Sequence, residues 1–91
     1  MKFEYDPRKA ASNLKKHHVS FDEAITVFAD PLRAVVPDTQ HSWDEERFIM
    51  VGQSTKGRIL FIVYTEIDST VRLIGARVAT AKERNQYEEI A

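Results

Sequence analysis

The sequence predicts a single α+β domain built on a mainly antiparallel sheet, and three observations carry that expectation. Three helix starts are written in capping chemistry, five short stretches rich in Val, Ile, Leu and Phe read as strands, and the last three strands are joined by connections short enough to demand antiparallel pairing. With 91 residues the chain has room for one domain, spanning 1–91. A domain of this size hides only about 60–65 % of its unfolded surface, so its stability margin is small and burial against a partner would add to it.

The elements follow in order. Lys2 to Tyr5 reads as a short strand, and Asp6-Pro7 as an N-cap followed by proline at the first helical position. The helix so opened covers about residues 7–17, with Ala10, Leu14 and His17 along one narrow inward stripe. Ser20-Phe21-Asp22-Glu23 is a capping box, followed by Ala24, Ile25 and Phe28 at the spacing of a core-facing helix. That helix ends near Asp30-Pro31, because a residue before proline is disfavoured in helical geometry. A strand at Leu32 to Val36 and a polar exposed loop at Pro37 to Glu46 lead into a meander of Arg47 to Gln53, Arg58 to Glu66 and Val71 to Val78. Gly57 closes the first hairpin turn, where positive φ is expected, and Ile67 to Thr70 forms the second connection. Thr80-Ala81-Lys82-Glu83 opens a polar C-terminal helix carrying Arg84 and Tyr87. The strand from Arg58 to Glu66 is apolar on both faces, which calls for helices on one side and a partial cover on the other, for which another chain is a candidate.

Composition narrows the chemistry. The longest apolar run, Ile59 to Tyr64, is too short to cross a bilayer and no signal-peptide pattern opens the chain, so a cytoplasmic protein without a membrane partner is expected. Without cysteine there is no disulfide, thiolate metal site or thiol nucleophile. A formal charge of −1 argues against a uniformly basic nucleic-acid coat, yet residues 52–87 hold six Lys/Arg against three Asp/Glu. Glycine-rich phosphate loops, H-E-x-x-H and Ser-His-Asp signatures are absent.

What remains is a charged cluster of Arg58, Glu66, Arg72, Arg77 and Arg84, suited to phosphodiester binding and to neutralising a developing oxyanion, or serving only as surface ion pairs. A three-residue loop sets Glu66 opposite Arg72, whereas a two-residue loop sets Glu66 opposite Val71. Arg72 and Arg77, five positions apart, fall on opposite faces of a regular strand unless Gly75 marks a bulge. His17 and His18 at a helix end are candidates for acid–base or phosphate contact, or for a helix-end role alone. His41 with Asp38 and Asp44 has the residue types of a metal site but no spacing that fixes them together, and Trp43, Phe48 and Tyr87 are candidates for stacking or for packing.

Phe3 to Pro7, Lys9, Asn13, Lys16-His17, Val19-Ser20-Phe21, Glu23-Ala24, Val27-Phe28 and Asp30-Pro31 resemble the BrnT family, the toxin of a type II toxin–antitoxin pair. Glu45 to Phe48, Gly52, Ser54, Gly57-Arg58, Tyr64-Thr65-Glu66, Arg72 to Ile74, Ala76-Arg77, Ala79-Thr80, Glu83-Arg84 and Tyr87 extend the resemblance over nearly the whole chain. It implies a RelE-like α+β domain with a twisted sheet, and a ribonuclease that cuts mRNA, on or off the ribosome, and arrests growth. It also implies neutralisation by a BrnA-like ribbon-helix-helix antitoxin, through which the complex reaches operator DNA; a homodimer is a further candidate.

Carried over by position, the resemblance implies Glu66, Arg72 and Arg77 as catalytic residues, and Lys15, Arg58 and Arg84, with Lys9 and His17, as RNA contacts. Attack of the RNA's own 2′-hydroxyl on the adjacent phosphate needs no cofactor; Glu66 is then the base or the group that orients Arg72, and Arg77→Ala and Glu66→Gln are expected to lose cleavage while keeping the thermal midpoint. Ile67, Gly75 and Val78 depart from the residues common in the family, removing two potential phosphate contacts. The Ile67 and Val78 departures, with a pI near 6.3, favour the alternative of an antitoxin- or RNA-binding module without cleavage. His18 stands where glycine is usual and a left-handed helix cap is expected.

Overall fold

The computed structural model describes residues 1–40 and 45–90. In chain order it contains β1 (Lys2–Glu4), α1 (Pro7–His17), α2 (Phe21–Thr26) continued by a 3-10 turn at Val27–Ala29, β2 (Ala34–Pro37), β3 (Arg47–Gln53), β4 (Ile59–Ile67), β5 (Thr70–Val78) and α3 (Ala81–Ile90). The α+β expectation holds. Among the described residues five strands form one mixed sheet in the order β1-β5-β4-β3-β2, with β1 parallel to β5 and the other pairs antiparallel.

Capping sets the helix starts where the sequence places them. The Asp6 carboxylate accepts the Arg8 N–H at 2.8 Å, Ser20 Oγ accepts the Glu23 N–H at 3.0 Å, and Thr80 and Glu83 accept each other's backbone N–H. At the end of α1, His18 takes φ 57° and its N–H reaches the Leu14 carbonyl at 2.9 Å, which is the left-handed cap. β2 begins two residues later than the sequence pattern indicates. The Asp30 carboxylate turns the chain first, accepting the Leu32 N–H at 2.9 Å, while the Asp30 carbonyl accepts the Arg33 N–H.

The inward stripe of α1 differs from the expectation. Leu14 is 50 % exposed and His17 is exposed, whereas Asn13 is buried. β1 pairs with β5 only over residues 70–72, leaving the rest of that strand's outer edge to α1. Asn13 completes the edge as a neighbouring strand would. Its Oδ1 accepts the Ala76 N–H at 3.0 Å, and its Nδ2 donates to the Ala76 carbonyl at 2.8 Å and to the Val19 carbonyl at 2.9 Å. A polar side chain substituting for backbone leaves no trace in apolar periodicity.

The core lies on one face of the sheet, where Val19, Phe21, Ala24 and Val27 pack on Met50, Leu60, Ile62, Tyr64, Val71, Leu73 and Ala76. Phe28 meets Phe3 and Tyr64 edge-on at 5.0 Å each. The 3-10 turn passes so near β3 that a Cβ on Gly52 would meet Val27 Cγ1 at 2.7 Å, so only glycine fits there.

Phe61 and Val63 point to the other face and are half-buried. Part of the cover of Phe61 is the chain's own C-terminal helix, whose Glu83 and Tyr87 line a groove with it, and the apolar remainder of the face is left open. Tyr87 of α3 is buried, and its hydroxyl donates to Asp30 Oδ2 at 2.6 Å; the same oxygen accepts the Gln53 N–H at 2.8 Å. Burial and the Asp30 carboxylate together push the Tyr87 hydroxyl up to about 12.

Candidate active site

Sheet register decides which charged residues meet. Ile67 pairs with Thr70, so the second hairpin closes through Asp68 and Ser69 alone, with φ 51° and 65°, in the geometry of a tight two-residue turn. Glu66 therefore pairs with Val71, and Thr65 with Arg72. The sheet alternates, so Glu66 and Arg72 lie on opposite faces, and the expectation that Glu66 orients Arg72 across the hairpin is not met.

The two arginines behave otherwise. Val63 pairs with Gly75 and Tyr64 with Leu73, which leaves Ile74 as a bulged residue. This one extra residue offsets the odd spacing and brings Arg72 and Arg77 to the same face, opposite Thr65 and Phe61 respectively. The Arg77 guanidinium lies 3.9 Å above the Phe61 ring and forks onto Glu83 at 2.8 and 3.0 Å. That ion pair holds the Glu83 carboxyl below the usual carboxylate range, against the opposing effect of burial. Arg77 is thus also a structural anchor for α3, so Arg77→Ala is expected to lower the thermal midpoint as well as cleavage.

A cleft of about 180 Å³ opens on this face between the last turn of α1 and the bulge, lined by Asn13, His17, Phe61, Val63, Gly75 and Arg77. Asn13 and His17 are four residues apart and share one side of α1, and the hydrogen bonds that tie Asn13 to Ala76 hold that side of the helix against β5. Gly75 forms an open floor: a Cβ there would find Asn13 Oδ1, at 3.9 Å, as its nearest neighbour. Arg72 lies beyond the bulge on the same face. Its partner in the parallel register with β1 is Glu4, and the two line a surface cleft of about 610 Å³ with Tyr5, Asp6, Pro7 and Arg8. Glu4 is the carboxylate that sequence reasoning missed, because strand order cannot be read from a three-residue segment.

The remaining candidates scatter. Lys9 and Lys15 are exposed on α1 and Arg84 on α3, none of them lining the cleft with His17 and Arg77. Arg58 is held elsewhere: its Nε and Nη2 donate to the Glu23 carboxylate, and Nη2 also donates to the His18 carbonyl at 3.0 Å. Ser54 Oγ donates to the same carboxylate at 2.7 Å. His41, Trp43 and Asp44 lie outside the described residues; Asp38 is buried, with its N–H on the Arg47 carbonyl at 2.8 Å. Phe48 stacks on Tyr64 at 5.6 Å. Among the described residues no cluster of His, Asp or Glu has the arrangement of a metal site, and no helix is long and apolar enough to cross a membrane.

The Arg58 hydrogen bonds hold the Glu23 carboxyl below its ordinary range, burial opposing and Ser54 assisting. A depressed carboxyl contributes stability that is complete above the unfolded range, near pH 4.3, and is lost as pH falls through the lower folded value. The thermal midpoint is therefore expected to drop on acidification below about pH 4.5. Glu23→Gln should lower it at neutral pH and flatten the acid limb; an unchanged limb in scanning calorimetry would count against Glu23 as a contributor.

Residues 5–83 match the family model described as the ribonuclease toxin, BrnT, of type II toxin–antitoxin systems. The chain belongs to the BrnT family. Its fold matches the crystal structure of the Brucella abortus ribonuclease toxin BrnT, with a TM-score of 0.69 at 20 % identity over 88 % of this chain and 97 % of that one. No curated relative matches the sequence. Membership of a type II toxin family implies an antitoxin as partner and ribonuclease chemistry as the family's activity.

Proposed function

We propose that this BrnT-family chain is an endoribonuclease that cleaves mRNA without a metal, using the cleft between the end of α1 and the β5 bulge. The observation that carries the reading is the convergence of His17 and Arg77 on one small cleft floored by a glycine, with Arg72 on the same face. A fixed guanidinium and an imidazole, with no carboxylate among the described lining residues, form a donor set for an anion rather than a cation. Phosphate oxygens would rest on Arg77 while the 2′-hydroxyl attacks the phosphorus, giving a cyclic phosphate and a 5′-hydroxyl, and Arg72, farther along the same face, would take a neighbouring phosphate. In this reading Glu66 lies outside the cleft, Arg58 is a structural residue, and Lys9, Lys15 and Arg84 extend the RNA track.

The apolar remainder of the face supports a neutralising partner such as a BrnA-like antitoxin. Val36, Ile49, Val51 and Phe61 line a groove of about 540 Å³ beside α3, and Val36 is 53 % exposed. A second reading, a binding module without cleavage, draws on the Glu83 carboxylate that already occupies the fork of Arg77.

Inducible expression in a bacterial host, reading growth and a reporter mRNA together, tests the site. Gly75→Leu adds a side chain where the floor is open, so it should fill the cleft and abolish arrest and mRNA loss while the purified protein keeps its thermal midpoint within about 2 °C. Arg77→Lys keeps a cation over Phe61 but lacks the bidentate fork, and a loss of about 100-fold in cleavage is expected. Arrest that persists in Gly75→Leu would place the chemistry elsewhere. RNA bound with steep salt dependence but left intact by the wild type would favour the binding module.

A further inference from the structure

Resting on the ribonuclease reading, we propose that His17 is the general acid of the cleavage step, donating a proton to the leaving 5′-oxygen. His17, from the last turn of α1, shares its cleft with Arg77 and Gly75 of β5. The two therefore reach the same space of about 180 Å³ from two elements. Arg77 is a permanent cation fixed by Glu83 and Phe61, able to hold non-bridging phosphate oxygens but not to give up a proton. Imidazole is the side chain that exchanges protons near neutrality, and His17 supplies the one such group among the described lining residues.

Its position is built rather than incidental. The left-handed turn at His18 ends α1 directly after His17, Arg58 holds the carbonyl of that turn, and Asn13 ties the preceding turn to β5. The charged and imidazole groups beside it in the chain, Lys15, Lys16 and the cap residue His18, are all exposed, and Arg77 of β5 lines the same cleft. In the step, the 2′-oxygen forms its bond to phosphorus and releases its proton to solvent water. The bond from phosphorus to the 5′-oxygen breaks, and that oxygen takes the proton of the His17 imidazolium, which is restored from solvent. No oxidant, reductant or metal enters the balance.

The test uses the full-length protein and a short RNA whose cleavage site has first been mapped with the wild type. The RNA is made in two forms, with oxygen or with sulfur at the 5′-bridging position of that site. A thiolate leaves without protonation, so an enzyme lacking only its general acid recovers on the sulfur substrate. His17→Gln, confirmed folded by an unchanged thermal midpoint, is expected to cleave the oxygen RNA about 100-fold more slowly than the wild type. On the sulfur RNA, corrected for uncatalysed cleavage, it should come within a few-fold. An equal loss on both substrates makes His17 a binding or positioning residue and overturns the proposal, as does an unchanged rate on the oxygen RNA. Failure of the wild type to cut any RNA in the mapping step overturns the ribonuclease reading itself, and the inference with it.

Discussion

Arg58→Ala is expected to cost about 3 kcal/mol of folding stability, more than any single surface charge is worth. Its partner Glu23 has a side chain only 2 % exposed, so removing the guanidinium leaves a buried carboxylate with the Ser54 hydroxyl as its remaining side-chain donor. Breaking a buried ion pair from one side costs about 3–5 kcal/mol, and the 36 % exposure of the Arg58 side chain places this case at the lower end. In a domain of this size the midpoint should fall on the order of 15 °C. The double variant Arg58→Ala with Glu23→Ala should recover part of the loss, because the uncompensated charge is gone. A midpoint unmoved by Arg58→Ala, with RNA binding weakened, would make Arg58 the RNA contact that the family resemblance implies.

The second large effect belongs to Asn13. Asn13→Ala strips partners from the N–H and carbonyl of Ala76 and from the carbonyl of Val19, each costing about 1–3 kcal/mol when left dry. Asn13 is 8 % exposed, so water enters in part, and a net loss on the order of 3 kcal/mol is expected in denaturant titration. Asn13→Asp sharpens the point. It preserves shape but sets a carboxylate oxygen against two carbonyls, so it should be worse than alanine at neutral pH and recover as the group protonates. A loss below about 0.5 kcal/mol for alanine would mean that α1 holds the edge of β5 without this residue.

These two residues also show where the sequence stops being legible. The helix starts were readable because Asp6, Ser20 and Thr80 act on backbone two or three positions away. The meander was readable because short connections leave antiparallel neighbours no choice. Asn13 acts across 63 residues on Ala76 and Glu23 across 35 on Arg58, and no local pattern encodes such partners. The candidate site was half legible for the same reason. Arg72, Arg77 and His17 could be named from residue type and family resemblance, but their common face hung on one bulge, and the placement of Glu66 hung on a turn that is one residue shorter than the alternative. Glu4 escaped notice because its neighbourhood is set by β1 docking in parallel beside the far end of the chain.

The bulge at Ile74 turns the distance between Arg72 and Arg77 into a question of parity. On a regular strand an even separation keeps two side chains together and an odd one divides them; here the separation is odd and the surplus residue restores agreement. Deleting Ile74 would make the separation four and keep both arginines on one face of a regular strand, whereas regular pairing with all five steps retained would send one of them inward against the core. Pairing at this point is therefore as much a part of the site as chemistry, and a chain of the same length that paired regularly here would keep both arginines without their common face.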